Sequence, residues 1–120
     1  MAGVEKASLD AAEEVRSLEK TKIEVVSLRG AKIGRATFQP GWRWSECVGP
    51  VVGGGFCQAQ HVGVIVSGHL AVTHKDGSHV ELGPGDAYDL QPGHDAWVVG
   101  DERFVGFEFE SRSAEEYAKG

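Results

Sequence analysis

Seven side chains in this sequence are suited to holding a metal ion: five histidines, and the cysteines Cys47 and Cys57. All five histidines fall between Cys57 and Trp97. His61 follows Cys57 with three residues between them, and His94 stands directly after Pro92-Gly93. An imidazole supplies a nitrogen donor and a thiolate a soft sulfur. His61, His94 and Cys57 around one ion leave a fourth tetrahedral position for water or substrate. Such a set favours one divalent Zn²⁺, with Fe²⁺, Ni²⁺ or Cu²⁺ as alternatives. Adding Cys47 gives a closed Cys₂His₂ set of the structural kind. Gln58 offers a weak oxygen donor if its loop bends inward.

Each of these residues also has a plainer role open to it. His61 can be a core histidine hydrogen-bonded to backbone, and His94 a polar strand start. A free cysteine is often a small buried hydrophobe. His69, His74 and His79 flank a hairpin and read as solvated. Trp42 and Trp44 either pack in a core or form the apolar wall of a ligand pocket. Glu46, next to a glycine-rich loop, is a candidate acid or base whose default is a solvated face.

The elements that must position these residues read as short strands. From Lys22, the runs up to Leu28 and from Ile33 to Phe38 are β-like. Trp42 to Ser45 alternates aromatic and polar residues, so both tryptophans share a side. Val48 to Phe56, with Gly49-Pro50 and Gly53-Gly54-Gly55, reads as a loop. His61 to Ser67 is a strand whose composition predicts cover on both faces. Leu70 to His74 and His79 to Leu82 read as a hairpin with a primed turn at Asp76-Gly77. Asp86 to Leu90, Ala96 to Val99 and Phe104 to Phe109 complete the series, with Val105, Phe107 and Phe109 on one face. In residues 1–20, Ala11, Ala12, Val15 and Leu18 fall at helical spacing. A loose tail with a helical turn is expected there, with an edge strand at Val15 to Leu18 as the alternative.

The chain has 120 residues, a single-domain length, and 17 glycines, which suit many tight turns. The predicted division is an N-terminal segment 1–20, a β-barrel 21–111 and a polar C-terminal tail 112–120. The net charge of −6 argues against nucleic acid or an anionic membrane as partner. No apolar run is long enough to span a bilayer, and no secretory signal core opens the chain. A cytoplasmic location is expected, with Cys47 and Cys57 reduced.

The series of strands, with Gly41, Gly68, Gly85-Asp86 and Pro92-Gly93 at its turns, resembles the cupin superfamily, and in particular its small single-domain bacterial members. The resemblance covers about Pro40 to Phe109. It implies an all-β jelly-roll barrel with one metal site. In the first cupin motif, counting back from Gly68 puts His61 at the glutamate position and Cys57 at the second histidine. Counting forward from Gly41 puts Cys47 at the first histidine; the two counts agree only if Val48 to Phe56 is inserted. In the second motif Gly85 and Gly93 match, Gln91 replaces a proline and Ala96 stands at the histidine position. His94 lies two residues earlier, on the same strand face. The resemblance further implies a homodimer and a small polar or phenolic ligand. The activity implied is that of a metal-dependent isomerase, lyase or oxygenase. The alternative is a non-catalytic binding or sensor protein with a degenerate metal site.

Overall fold

A computed structural model describes residues 3–109. Two antiparallel sheets face one another as a jelly roll. The larger is built from β1 (Glu14–Leu18), β2 (Thr21–Leu28), β3 (Ala31–Phe38), β4 (His61–Ser67), β7 (Ala87–Leu90) and β9 (Phe104–Phe109), in the order β1-β2-β3-β9-β4-β7. The smaller contains β5 (His69–His74), β6 (His79–Leu82) and β8 (His94–Val99), in the order β6-β5-β8. The expected all-β jelly roll is therefore present. Among the described residues hydrogen bonding does not close it all the way round, because β6 and β7 are edges of different sheets.

Period-two alternation sends one face of each strand into the space between the sheets. Ile23, Val25, Ala36, Phe38, Ile65 and Phe104 enter from the larger sheet. Leu70, Val72, Leu82, Ala96 and Val98 enter from the smaller one. The Phe38 and Trp42 rings stack in parallel with centroids 3.8 Å apart, and Phe104 lies 5.3 Å from Phe38. Trp42 satisfies its one polar atom by donating Nε1–H to Thr21 Oγ1 at 2.8 Å. Aromatic bulk thus fills much of the barrel.

Several local expectations need correction. The N-terminal helical turn is only a 3₁₀ turn at Leu9–Ala11, and Val15 to Leu18 belong to β1, paired with β2. The thin apolar stripe of Ala11, Ala12, Val15 and Leu18 could not support a helix, whereas the open edge of β2 offered backbone partners. Trp44 to Cys47 is not extended but forms a helical turn, α1, and Gly49–Val52 forms a second, α2, inside the expected loop. Asp95 anchors α1 by accepting from Ser45 N–H at 3.0 Å and Ser45 Oγ at 2.8 Å. Pro50, near the start of α2, suits a helix start.

The β5–β6 turn is not primed: only Gly77 has positive φ, whereas a two-residue primed turn needs it at Asp76 too. β4 is covered on one face only, with Val62 and Val66 42% and 49% exposed. On β9, Val105, Phe107 and Phe109 share a face as expected, and it is the outer one; the inward set is Phe104, Gly106 and Glu108. The expected tail 112–120 lies outside the described residues.

Candidate metal centre

His61 is the first residue of β4 and pairs with Leu90; His94 is the first of β8 and pairs with His74. The two strands belong to facing sheets, so both rings point into one end of the barrel. Their centroids lie 4.8 Å apart at a steep mutual angle of 72°. Cys57 is held beside them by backbone. Its N–H donates to the His94 carbonyl at 2.7 Å, and its own carbonyl accepts from Gly93 N–H at 2.7 Å. Gly93 has φ near +102°, a left-handed turn that lets residues 91–94 fold back onto Cys57. Cys57, Ala59 and His61 are buried while Gln58 and Gln60 are exposed, and the chain bends at Ala59 before entering β4.

Each imidazole has one nitrogen committed. A carbonyl oxygen can only accept, so His94 Nδ1 carries a proton and donates to the Gln91 carbonyl at 2.8 Å. His61 Nδ1–H donates to Glu108 Oε1 at 3.0 Å, and Tyr88 O–H donates to Glu108 Oε2 at 2.8 Å. Both rings are thereby oriented with Nε2 available. His61 Nε2 lies 3.2 Å from Cys57 Sγ. One donor atom from each of Cys57, His61 and His94 lies within 4.8 Å of the others. Donors on a tetrahedral ion sit roughly 3.3–3.7 Å apart, so a modest contraction would close the set on a metal.

The electrostatics suit thiolate ligation. Burial raises the Cys57 thiol, but hydrogen bonds from His61 and His94 outweigh it and hold it down at about 6. Burial lowers His61, but the Glu108 carboxylate and the Cys57 sulfur outweigh it and raise the imidazole to about 10. At neutral pH and without metal, the pair is therefore a thiolate beside an imidazolium. A cation binding Sγ and Nε2 replaces a proton already held between them.

The other sequence candidates lie elsewhere. Cys47 is buried in the apolar core on α1, outside the metal-capable group, and both cysteines are free thiols. Gln58 is exposed and lines neither the interior cavity nor the cleft beside His94. Trp42 and Trp44 do line the interior cavity beside His61, His94 and Glu108, but its volume is only about 30 Å³. That is the share of roughly one water molecule. The tryptophans therefore act there chiefly as core. His74 accepts from Asp76 N–H at Nδ1 and donates from Nε2 to the Pro92 carbonyl, away from the centre.

Glu108 escaped the sequence reading. The apolar set Val105, Phe107 and Phe109 drew attention to the other face of its strand. Gly106 was the available signal: a Cβ there would meet the Phe104 ring at 2.9 Å, and strand glycines often mark such close approaches.

No family model matches the sequence, and no curated protein does. Solved structures do match. A protein of unknown function from Rhizobium leguminosarum bv. viciae aligns at TM-score 0.63 and 20% identity, over 90% of this chain and 96% of its own. A sugar phosphate isomerase from a cupin superfamily, from Silicibacter pomeroyi, aligns at TM-score 0.59 and 15% identity, over 88% and 74%. The oxalate decarboxylase of Lactobacillus farciminis, in complex with formate, aligns at TM-score 0.62 and 14% identity, over 91% of this chain and 33% of that one.

Proposed function

Because the chain has the cupin fold, we propose that it holds one divalent metal ion through Cys57, His61 and His94 and acts on a small molecule at that ion. The observation that carries this is the double tethering of the imidazoles: Glu108 and the Gln91 carbonyl each fix an Nδ1, so both Nε2 atoms are left to face Cys57. Outer hydrogen bonds of this kind select the tautomer that ligates. The donor set of one thiolate and two imidazoles favours Zn²⁺, with Fe²⁺, Ni²⁺ or Cu²⁺ as competitors. When bound, such an ion supplies Lewis acidity at its open position.

The chain's own residues do the rest. Glu108 accepts the His61 Nδ1 proton and Tyr88 steadies that carboxylate. Trp42, Trp44 and Phe104 exclude water from the inner side. Isomerase, lyase or oxygenase chemistry on a polar or phenolic substrate is the activity that suits this site. The lack of a His-x-His pair, with Ala96 where the second motif has its histidine, supports a second reading, a binding or sensor protein that holds its ligand without turnover.

Elemental analysis of wild type beside His61→Ala and His94→Ala tests the proposal. About one metal per wild-type chain, lost in both variants, is the expected result. Wild-type content near zero after purification without chelators, and after anaerobic reconstitution, would overturn it. A substrate screen on the reconstituted protein separates enzyme from sensor. A homodimer, covering Val62 and Val66 on the outer sheet face, is proposed with it and is checked by sedimentation.

A further inference from the structure

His94 has a second exposure to space. Its ring lines the interior cavity and also a cleft of about 270 Å³ at the seam between the edge strands β6 and β7. The cavity holds roughly one water, whereas the cleft approaches the roughly 300 Å³ at which small-molecule sites begin. The cleft is therefore the roomier of the two spaces that border His94.

The cleft walls define the ligand's chemistry. Val72, Val80 and Leu90 give it an apolar floor, with β6 and β7 backbone edges on either side. Asp76 and Asp89 line it as well, and no lysine or arginine is among its described lining residues. Lys75 lies with its stem over Gly93 and does not line the cleft. Asp89 Oδ1 accepts from Gln60 at 3.1 Å and Gln91 at 2.9 Å, which holds the carboxylate in place. His74 Nε2 lies 2.7 Å from the Pro92 carbonyl, and its Nδ1 lies 3.0 Å from Asp76 N and 3.2 Å from Asp76 Oδ1.

We propose that this cleft is the substrate site, and that it takes a small neutral or cationic molecule with hydroxyl or amine donors on a short apolar body. Carboxylate and phosphate ligands are disfavoured, because two carboxylates line the cleft with no lysine or arginine among the described lining residues. The assignment rests on the centre at His94 being functional, but it makes its own demand on the metal-free chain.

The test uses metal-free full-length protein and three probes of comparable size: benzylamine, benzyl alcohol and benzoate. Methyl NMR reads binding at Val72, Val80 and Leu90. Benzylamine is expected to shift all three and to bind about fivefold more tightly than benzoate, with benzyl alcohol between. Asp89→Asn should cut the benzylamine-to-benzoate ratio at least twofold. Val80→Trp, on an exposed edge position, should abolish the shifts; if it does not fold, the Asp89→Asn ratio decides. Equal affinity for benzoate, shifts centred on Phe38 and Phe104, or no binding at about 10 mM probe would each overturn the assignment. Loss of metal binding alone would leave these results unchanged, so the two proposals fail separately.

Discussion

Glu108 accepts the Nδ1 proton of His61 at 3.0 Å while the opposite nitrogen of the same ring faces Cys57 Sγ at 3.2 Å. One imidazole thus links a carboxylate on β9 to a thiol ahead of β4. Carboxylate partners of this kind raise the basicity of a ligating histidine and fix its plane. Glu108→Gln keeps the shape but removes the charge. It is expected to weaken metal affinity about 10- to 100-fold, where His61→Ala abolishes binding. Competition against a chromophoric chelator measures both. Unchanged affinity in the glutamine variant would show that the carboxylate plays no part in ligation.

The two cysteines should behave oppositely. Cys57→Ser replaces the soft donor, so a cobalt-substituted protein should lose its sulfur-to-metal charge-transfer absorption and bind more weakly. Cys47→Ser should keep that absorption, because Cys47 packs in the apolar core outside the metal-capable group. Its expected effect is on stability, about 1–2 kcal/mol from burying a hydroxyl in an apolar site. Equal spectral loss in both variants would place Cys47 at the metal as well.

Much of this was legible because turn chemistry is local. Gly68, Gly85 and Gly93 do take positive φ at strand ends, although the count from Gly85 pointed to Ala96 rather than His94. The count from Gly68 put Cys57 and His61 side by side, and strand parity turned His94 inward. What failed depended on tertiary competition. Val15 to Leu18 became a strand because β2 offered an edge. Cys47 drew attention by its count from Gly41, yet the α1 turn, held by Asp95, carries it into the core. Glu108 was invisible because its inward direction follows from its pairing with Gly63 and Gly34, not from its own strand's hydrophobicity.

Metal binding should depend on pH with a definite sign. His61 is raised to about 10, so at pH 7–9 it carries a proton that an ion must displace. Cys57 is lowered to about 6, so in the same range it is already a thiolate. One proton is therefore released per ion between pH 7 and 9, and affinity should rise about tenfold per pH unit. Below about pH 6 the thiol is protonated as well, and the dependence should steepen toward two protons. Calorimetry in buffers of different ionisation enthalpy counts the protons directly. A pH-independent affinity from 7 to 9 would contradict the thiolate–imidazolium pair.

Gly63 lies on β4 between His61 and Ile65 and faces the barrel interior. A Cβ built there would strike the Phe107 carbonyl and come 2.8 Å from the Tyr88 hydroxyl oxygen. The bare backbone is what allows Tyr88 to cross β4 and donate to Glu108. Gly63→Ala should therefore push Tyr88 off the carboxylate and strain the β4–β9 ladder, destabilising the fold by about 1–3 kcal/mol. Tyr88→Phe removes the same hydrogen bond without the clash, at about 0.5–1.5 kcal/mol. If Glu108 needs Tyr88 to hold its orientation, the phenylalanine variant should also lose metal affinity while remaining well folded. Denaturant midpoints and chelator competition on the two variants together separate strain in the sheet from loss of the tether. A tyrosine variant with wild-type affinity would mean that Glu108 holds His61 unaided.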